Sequence, residues 1–146
     1  MVAYEGQGVL PTSREKVWTL LQAHLQDDRI GQIHGLIRGQ RTLSRSGEDT
    51  VVERTIDARG KLLTSQWKVT YRPPEFSRWE VLQSQGPWAT GSYLENTYTS
   101  VPEGTNIRSR GDLRITVLPF FIPQKAAMNR VFATIDSEDE AFARKL

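Results

Sequence analysis

Five short chain reversals between residues 46 and 104 constrain the fold of this chain more than any other feature of its sequence. They are SGED, ARGK, RPPE, QGPWAT and PEG, and each supplies Gly, Pro or Asp where the backbone must turn back. The segments between them are rich in β-branched and aromatic residues. Because none of these connections can hold a crossover helix, the pattern predicts an antiparallel sheet.

The reversals delimit six consecutive predicted strands. An opening segment, residues 2–9, predicts one further strand, although Gly6 and Gly8 interrupt it. The six strands are expected at residues 33–43, 51–58, 62–71, 77–83, 91–101 and 105–118.

The stretch VLPTSREKVWTLLQ marks the change from the first strand to a helix. Pro11 has no N–H to donate and stops strand pairing. Thr12 and Glu15 have the spacing of a capping box, which predicts a helix start here. The helix should fade over residues 26–28, with a short second turn or helix before Gly31. Its apolar stripe comprises Val17, Leu20, Leu21, His24 and Leu25.

Helical spacing returns in the last segment, PFFIPQKAAMNRVFATIDSEDEAFARKL. Asp136 and Ser137 interrupt its apolar stripe, and Ser137 with Glu140 has the spacing of a new cap. One long kinked helix and two separate helices both satisfy this pattern. The stripe comprises Met128, Val131, Phe132 and Ile135, and Phe142 and Leu146 extend it.

The element order predicts an α+β fold, β-α-α-β6-α, formed by a single domain over residues 1–146. A curved antiparallel sheet of seven strands would wrap around the long C-terminal helix. With only one face of the sheet covered, the interval between sheet and helix becomes a cavity.

Composition excludes several classes of function. Nineteen Lys and Arg against seventeen Asp and Glu leave a net charge of +2, which argues against a dedicated nucleic-acid binder. No apolar run approaches the roughly 18 residues of a membrane span, and the N-terminus has no signal-peptide core, so we expect a cytoplasmic protein without stable membrane insertion. The lack of cysteine removes disulfides and thiolate metal sites and fits a reducing compartment.

The order of these elements resembles the START or pollen-allergen-like superfamily, also called SRPBCC or helix-grip, and within it the polyketide-cyclase-like branch. The matching residues are Pro11, the segment from Thr12 to Glu15, and the Val17-Trp18 pair. The aromatic segment 91–98 followed by PEGTNIRSR resembles the late hairpin of the family. The likeness covers nearly the whole chain in element order.

The resemblance implies binding of an apolar or amphipathic molecule, such as a lipid, sterol, quinone or polyketide, between the sheet and the C-terminal helix. Family members include carriers and sensors, cyclases and dehydratases, and co-chaperones, so the resemblance predicts a pocket better than a reaction. The acidic DSEDE segment departs from the family pattern because it shortens the apolar face of the last helix. The depth of the cavity therefore stays open.

Strand alternation assigns the side chains that should line this cavity. In the last strand Arg108, Arg110, Asp112 and Arg114 must face outward, with Glu95 of the preceding strand able to pair with one of them. The expected inward-facing residues are Ile56, Trp67, Val69, Trp79, Val81, Leu94, Asn96, Tyr98, Ile107 and Leu113, joined by Met128 and Phe132 of the last helix. Ile115 and Val117 continue the inward set, and Trp88 closes one end as a lid or as a plug of the core.

Arg54 shares a face with Val52 and Ile56, which places a guanidinium among apolar groups. Such a group needs a partner or water, because an unpaired buried charge costs several kcal/mol. One interpretation is an anchor for a carboxylate or phosphate of a ligand. The other is that Arg54 lies at the rim, or that the alternation is shifted by one residue.

The two histidines, His24 and His34, are distant in sequence and have no partner at ligand spacing, so no metal site is expected. His24 reads as a packing residue and His34 as a residue near the cavity mouth. No cofactor is expected either, because glycine-rich phosphate cradles are absent from the sequence. The G-x-S-x-G motif of a serine nucleophile is absent as well.

Three functions remain open from the sequence. The first is a carrier or sensor of an apolar small molecule. The second is an enzyme of the cyclase or dehydratase kind, in which Tyr98, Asn96 or Arg54 polarises an oxygen. The third is an interaction module, such as a co-chaperone-like domain, with a collapsed interior and its function on the outer surface. The sequence makes no prediction of oligomeric state.

Overall fold

Seven strands form one antiparallel sheet in the computed structural model, which describes residues 1–146. The spatial order is β1-β7-β6-β5-β4-β3-β2, so the two strands that α1 and α2 connect lie at opposite edges. The strands are β1 (Val2–Leu10), β2 (Ile37–Ser46), β3 (Asp49–Ala58), β4 (Lys61–Arg72), β5 (Phe76–Ser84), β6 (Tyr93–Val101) and β7 (Gly104–Leu113). The helices are α1 (Arg14–His24), α2 (Ile30–Ile33) and α3 (Gln124–Ala143). The expected helix-grip fold is confirmed.

The start of α1 differs in detail from the expected capping box. Ser13, not Thr12, is the N-cap residue, and its hydroxyl accepts the backbone N–H of Lys16 at 3.3 Å. Thr12 instead contributes its carbonyl, which accepts a hydrogen bond from the hydroxyl of Thr105 on β7. The contact with β7 therefore draws Thr12 out of the helix and leaves the capping position to the next hydroxyl.

The second helix lies later in the chain than expected. Ile33 was assigned to a strand, but it ends α2 and packs in the core beneath α1, and β2 begins only at Ile37. Ile30 and Ile33 are both buried, and their spacing of three residues places them on one side of a helical turn, whereas a strand would direct them to opposite faces.

The last strand is shorter than expected and ends at Leu113. Beyond it, the amide side chain of Gln124 accepts from the backbone N–H of Ile115 at 2.9 Å and donates to its carbonyl at 2.8 Å. This side chain replaces a strand partner, so Ile115 is buried as expected, whereas Val117 is exposed and does not face the interior.

The C-terminal segment forms one continuous helix through Asp136 and Ser137. Ser137 does not start a second helix. The acidic residues that follow are accommodated because Glu138 and Asp139 contact histidines of the α1–α2 region, while Glu140 pairs with Arg144 one turn later.

Helix α3 stands away from the middle of the sheet. Among the strands, only β1 approaches it closely enough for Cα atoms to lie within 8 Å. The interval between α3 and the central strands is spanned by apolar side chains of the core, among them Trp67, Trp88 and Phe132, rather than by close backbone packing. None of the three helices is both long enough and apolar enough to cross a bilayer.

Gly111 gives a test of the register between β6 and β7. A Cβ at this position would lie 2.0 Å from the carbonyl oxygen of Tyr93, so the two strands would have to separate. We expect Gly111→Ala to lower the free energy of unfolding by about 1 to 3 kcal/mol. Gly8→Ala on β1 is the matched control, because a Cβ there meets nothing within 4 Å. Urea unfolding measures both, and equal stabilities would contradict the register.

Candidate binding site

The concave face of the sheet carries the side chains that alternation assigned to it. Arg54 also lies on this side, beside Trp67, so the alternation was not shifted by one residue. The residues that are largely removed from solvent are Trp67, Val69, Val81, Leu94, Tyr98, Leu113, Met128 and Phe132. Those that keep part of their surface accessible are Arg54, Ile56, Trp79, Asn96 and Ile107. That they line a ligand remains a prediction.

An aromatic wall, made of Trp67, Trp79, Trp88, Phe132 and Tyr4, runs from the sheet to α3. Successive ring centroids along this order are 4.8, 6.0, 5.7 and 4.6 Å apart. Trp88 is buried against Phe132, so it plugs the core rather than acting as an open lid. Trp79, in the middle of the wall, is only half-buried. The wall therefore offers an apolar surface that solvent still reaches.

Arg54 is held at one end of this interior by neutral groups. Its Nε donates to Oε1 of Gln40 at 2.7 Å, and its guanidinium lies 5.5 Å from the centre of the Trp67 ring. Gln40 is itself oriented, because its amide nitrogen donates to the carbonyl of His24 and to Asp27, both at 3.1 Å. Burial lowers the pKa of Arg54 to about 10, so the group still carries its charge at neutral pH.

No carboxylate of the chain pairs with Arg54. Its two terminal nitrogens make no hydrogen bond within the protein. Since no fully buried polar side-chain atom lacks a partner, these nitrogens must keep contact with accessible space. The site thus presents a fixed, charged donor pair whose partner the chain does not provide.

A second polar group in the interior is satisfied internally. The hydroxyls of Tyr98 and Ser77 are 2.6 Å apart, Asn96 donates to Ser77 at 3.4 Å, and Ser109 donates to Asn96 at 2.5 Å. Burial raises the pKa of Tyr98 well above its ordinary value, so its hydroxyl stays protonated. These side chains lie together as the strand assignments required, but their hydrogen bonds are made to one another.

Tyr71 links this interior to α1. Its hydroxyl donates to the carbonyl of Leu21 at 2.7 Å, and its ring meets Trp18 edge-on with centroids 5.5 Å apart. Burial raises the pKa of Tyr71 far above its ordinary value, with the neighbouring Tyr98 acting in the same direction. Tyr71 continues the alternation of Trp67 and Val69, which predicts an inward position, and it packs there against the core.

The two histidines lie side by side, which sequence separation gave no reason to expect. His24 ends α1, His34 follows α2, and their ring centroids are 5.1 Å apart. Nε2 of each ring lies 3.0 Å from the same oxygen of Asp139 on α3. Nδ1 of His34 lies 3.2 Å from Glu138. The expectation that the two histidines lie far apart was therefore wrong, because folding brings them together with Asp139.

The electrostatics of this histidine cluster favour an ion pair. Burial alone would raise the pKa of Asp139, but the charges and hydrogen bonds of His24 and His34 outweigh it and hold that pKa at about 2. Burial would likewise lower the pKa of His34, yet hydrogen bonds and charge from Asp139 and Glu138 raise it above its ordinary value.

Two surface pockets lie away from the interior and are lined mainly by polar side chains. One, of about 320 Å³, lies on the outer face of the sheet among paired charges that include Arg72, Arg78 and Glu95. There Glu95 pairs at 2.7 Å with Arg78 of β5, not with an arginine of β7 as expected. The other, of about 440 Å³, lies between residues 11–14 and 100–104. Neither has the apolar lining that a lipid-like molecule requires.

Comparison with solved structures places this architecture among known folds. Ara h 8.0201 superposes with a TM-score of 0.78 at 11% identity, over 99% of both chains. The Zhui aromatase/cyclase from Streptomyces sp. R1128 gives a TM-score of 0.69 at 12% identity, over 99% of this chain and 94% of that one. A START superfamily protein from Mycobacterium smegmatis gives 0.66 at 16% identity, over 97% and 92%.

The resemblance to the START and pollen-allergen-like superfamily is thereby confirmed for the fold. No protein-family model and no curated protein sequence matches this chain. At these identities the likeness carries architecture, and function must be argued from this chain's own side chains.

The histidine cluster predicts a pH window of stability. The depressed pKa of Asp139 contributes stability above its unfolded value of 3.8 that is lost as pH falls towards 2. The raised pKa of His34 contributes stability below 6.5 that is lost as pH rises through the folded value. Other titratable groups that face the cluster are His24, Glu138, Asp136, Tyr71 and Tyr98. Asp139→Asn should therefore cost most near pH 5, about 2 kcal/mol.

Urea unfolding of the wild type and Asp139→Asn across pH 3 to 8 measures this window. Glu103→Gln, at an exposed turn position, is the matched removal of a carboxylate and should leave the profile unchanged. A stability difference between wild type and Asp139→Asn that does not vary with pH would contradict the assigned pairing.

Proposed function

We propose that this chain binds an amphipathic small molecule that carries a carboxylate, in the interval between the concave face of the sheet and α3. The observation that carries the proposal is the unpaired guanidinium of Arg54, fixed by Gln40 and Trp67 with both terminal nitrogens accessible. A planar carboxylate matches this fork with two parallel N–H···O bonds.

Arg54 carries a charge that no carboxylate of the chain neutralises, and this is costly for the folded protein. A desolvated charge without a counterion is unfavourable, and Gln40 supplies only one neutral acceptor to it. A bound carboxylate would cancel the charge and complete the hydrogen bonds of the guanidinium. The carboxylate should therefore contribute to the affinity of the ligand and fix its orientation, because Arg54 lacks a counterion without it.

The apolar part of the ligand would lie along the aromatic wall. Apolar area removed from water contributes about 25 cal/mol per Å², before the cost of ordering the ligand. Trp79, Ile56 and Ile107 face the interior yet keep accessible surface, which is where a hydrocarbon or ring system would gain most. Side chains such as Trp88 and Phe132 span the distance between α3 and the central strands, so a guest would have to displace side chains but no strand.

Carrier or sensor is the form of this function that we favour over an enzyme. An enzyme of the cyclase kind needs polar groups free to act on the substrate. Tyr98 and Asn96 are instead hydrogen-bonded to Ser77 and Ser109. Arg54 alone is free, and one cation binds a carboxylate without performing acid-base chemistry. The absence of cysteine fits a reducing compartment, so the cytoplasm is the proposed location.

A matched pair of ligands tests the proposal: dodecanoic acid and dodecanol, titrated at pH 7.5 and followed by tryptophan fluorescence. The acid should bind more tightly than the alcohol. Arg54→Gln should weaken binding of the acid by about 10- to 100-fold, as expected for loss of a charged hydrogen-bonded pair, and leave the alcohol unchanged. Arg54→Lys should give an intermediate affinity because one point charge remains.

Arg108→Gln is the control, since Arg108 is exposed on the outer face of β7 and should not affect either ligand. Circular dichroism and the melting temperature establish that each variant is folded. Equal affinities for acid and alcohol in the wild type, or an acid affinity unchanged by Arg54→Gln, would overturn the proposed role of Arg54.

A further inference from the structure

We propose that His24, His34 and Asp139 form a binding site for a divalent transition-metal ion of the zinc type, oriented by Glu138. Its ligand atoms are separate from Arg54, and Gln40 connects the two sites by hydrogen bonds to Arg54 and to the backbone carbonyl of His24. It joins the last residue of α1, the residue after α2 and the second half of α3. Two imidazoles and a carboxylate form the donor set of an open zinc site with one position left for water or another ligand.

The geometry lies close to what an ion requires. The three ligand atoms, one from each residue, are all within 4.8 Å of one another. Both Nε2–Oδ1 distances are 3.0 Å. A tetrahedral ion with bonds of about 2.0 to 2.2 Å holds its ligand atoms about 3.3 to 3.5 Å apart. Small rotations of the side chains would lengthen the two 3.0 Å contacts with the Asp139 oxygen to this separation.

Glu138 supplies the outer contact that metal-binding histidines use. Its Oε1 lies 3.2 Å from Nδ1 of His34, and its Oε2 accepts the backbone N–H of Gly35 at 3.3 Å. With Nδ1–H directed at this carboxylate, His34 turns Nε2 towards Asp139 and His24. A carboxylate that accepts the second ring N–H fixes the orientation of the imidazole and strengthens it as a ligand.

Charge balance also favours a dication. Asp139 and Glu138 place two carboxylates at the cluster, while both Nε2 atoms meet the same oxygen of Asp139 and so donate N–H to it. A metal ion would replace the proton on each Nε2: His34 keeps its Nδ1–H towards Glu138 and loses its Nε2 proton to solvent, and His24 binds as a neutral imidazole with its proton on Nδ1. The side chains of His24, His34 and Asp139 keep 14, 12 and 18% of their surface exposed, which gives an ion a path in.

The donor types predict which ions should bind. Imidazole nitrogen with a carboxylate oxygen suits Zn²⁺, Ni²⁺ and Cu²⁺, whereas Mg²⁺ and Ca²⁺ prefer oxygen-only sites. The bound ion would tie α3 to the connection between α1 and α2. An ion at this position would therefore raise the melting temperature as well as bind.

The chain has two histidines and no cysteine, so no other imidazole or thiol can bind the added ion. Untagged protein is stripped with EDTA, dialysed and titrated with Zn²⁺ alone by calorimetry. We expect one ion per chain and a higher melting temperature with Zn²⁺ but not with Mg²⁺. With one equivalent of Cu²⁺, electron paramagnetic resonance should resolve coupling to two imidazole nitrogens.

Variants assign the ligands. His24→Gln, His34→Gln and Asp139→Asn should each weaken Zn²⁺ binding by at least about 100-fold, and Glu138→Gln by about 10- to 100-fold. Glu103→Gln should leave it unchanged. Because the Cu²⁺ spectrum is recorded on the wild type, the test survives a variant that fails to fold. Absence of binding up to about 100 μM Zn²⁺, or binding that the histidine variants do not alter, would overturn the proposal.

Discussion

The shape of the interior depends on where α3 lies relative to the sheet. The helix is fixed by polar contacts near both ends and by apolar contacts between them. At its start Gln124 takes the place of a strand partner for Ile115, and in its second half Asp139 meets both histidines. Between these points Met128 and Phe132 pack against side chains of the sheet. This arrangement holds the helix over the sheet without bringing the two backbones together.

The interior that results combines two different environments. One side is the aromatic wall, which gains stability from buried area and from edge-to-face, tilted and stacked ring contacts. On the other side, Tyr98, Ser77, Asn96 and Ser109 satisfy one another. Arg54 belongs to neither group, because it lies against Trp67 yet keeps free donors. A charge that the fold positions but does not neutralise is the feature most easily explained by a ligand.

Much of this could be predicted from local patterns. Reversals too short for crossover helices fixed an antiparallel sheet, and the period of two placed Trp67, Leu94 and Leu113 on the inner face. Boundaries were less certain where side chains substitute for backbone partners. Gln124 ended β7 early, and Thr105 drew Thr12 away from the cap. Such contacts join residues distant in sequence, so no local pattern reports them. The histidine cluster was missed for the same reason, since its partners lie more than a hundred residues apart.

We propose above that a largely apolar carboxylic acid binds between the sheet and α3. Native mass spectrometry measures this most directly, after the purified chain is incubated with an equimolar mixture of long-chain carboxylic acids and the corresponding alcohols. We expect a complex of one acid per chain that the alcohols do not displace. Bare chain at every ligand concentration, or adducts formed equally by acids and alcohols, would contradict it.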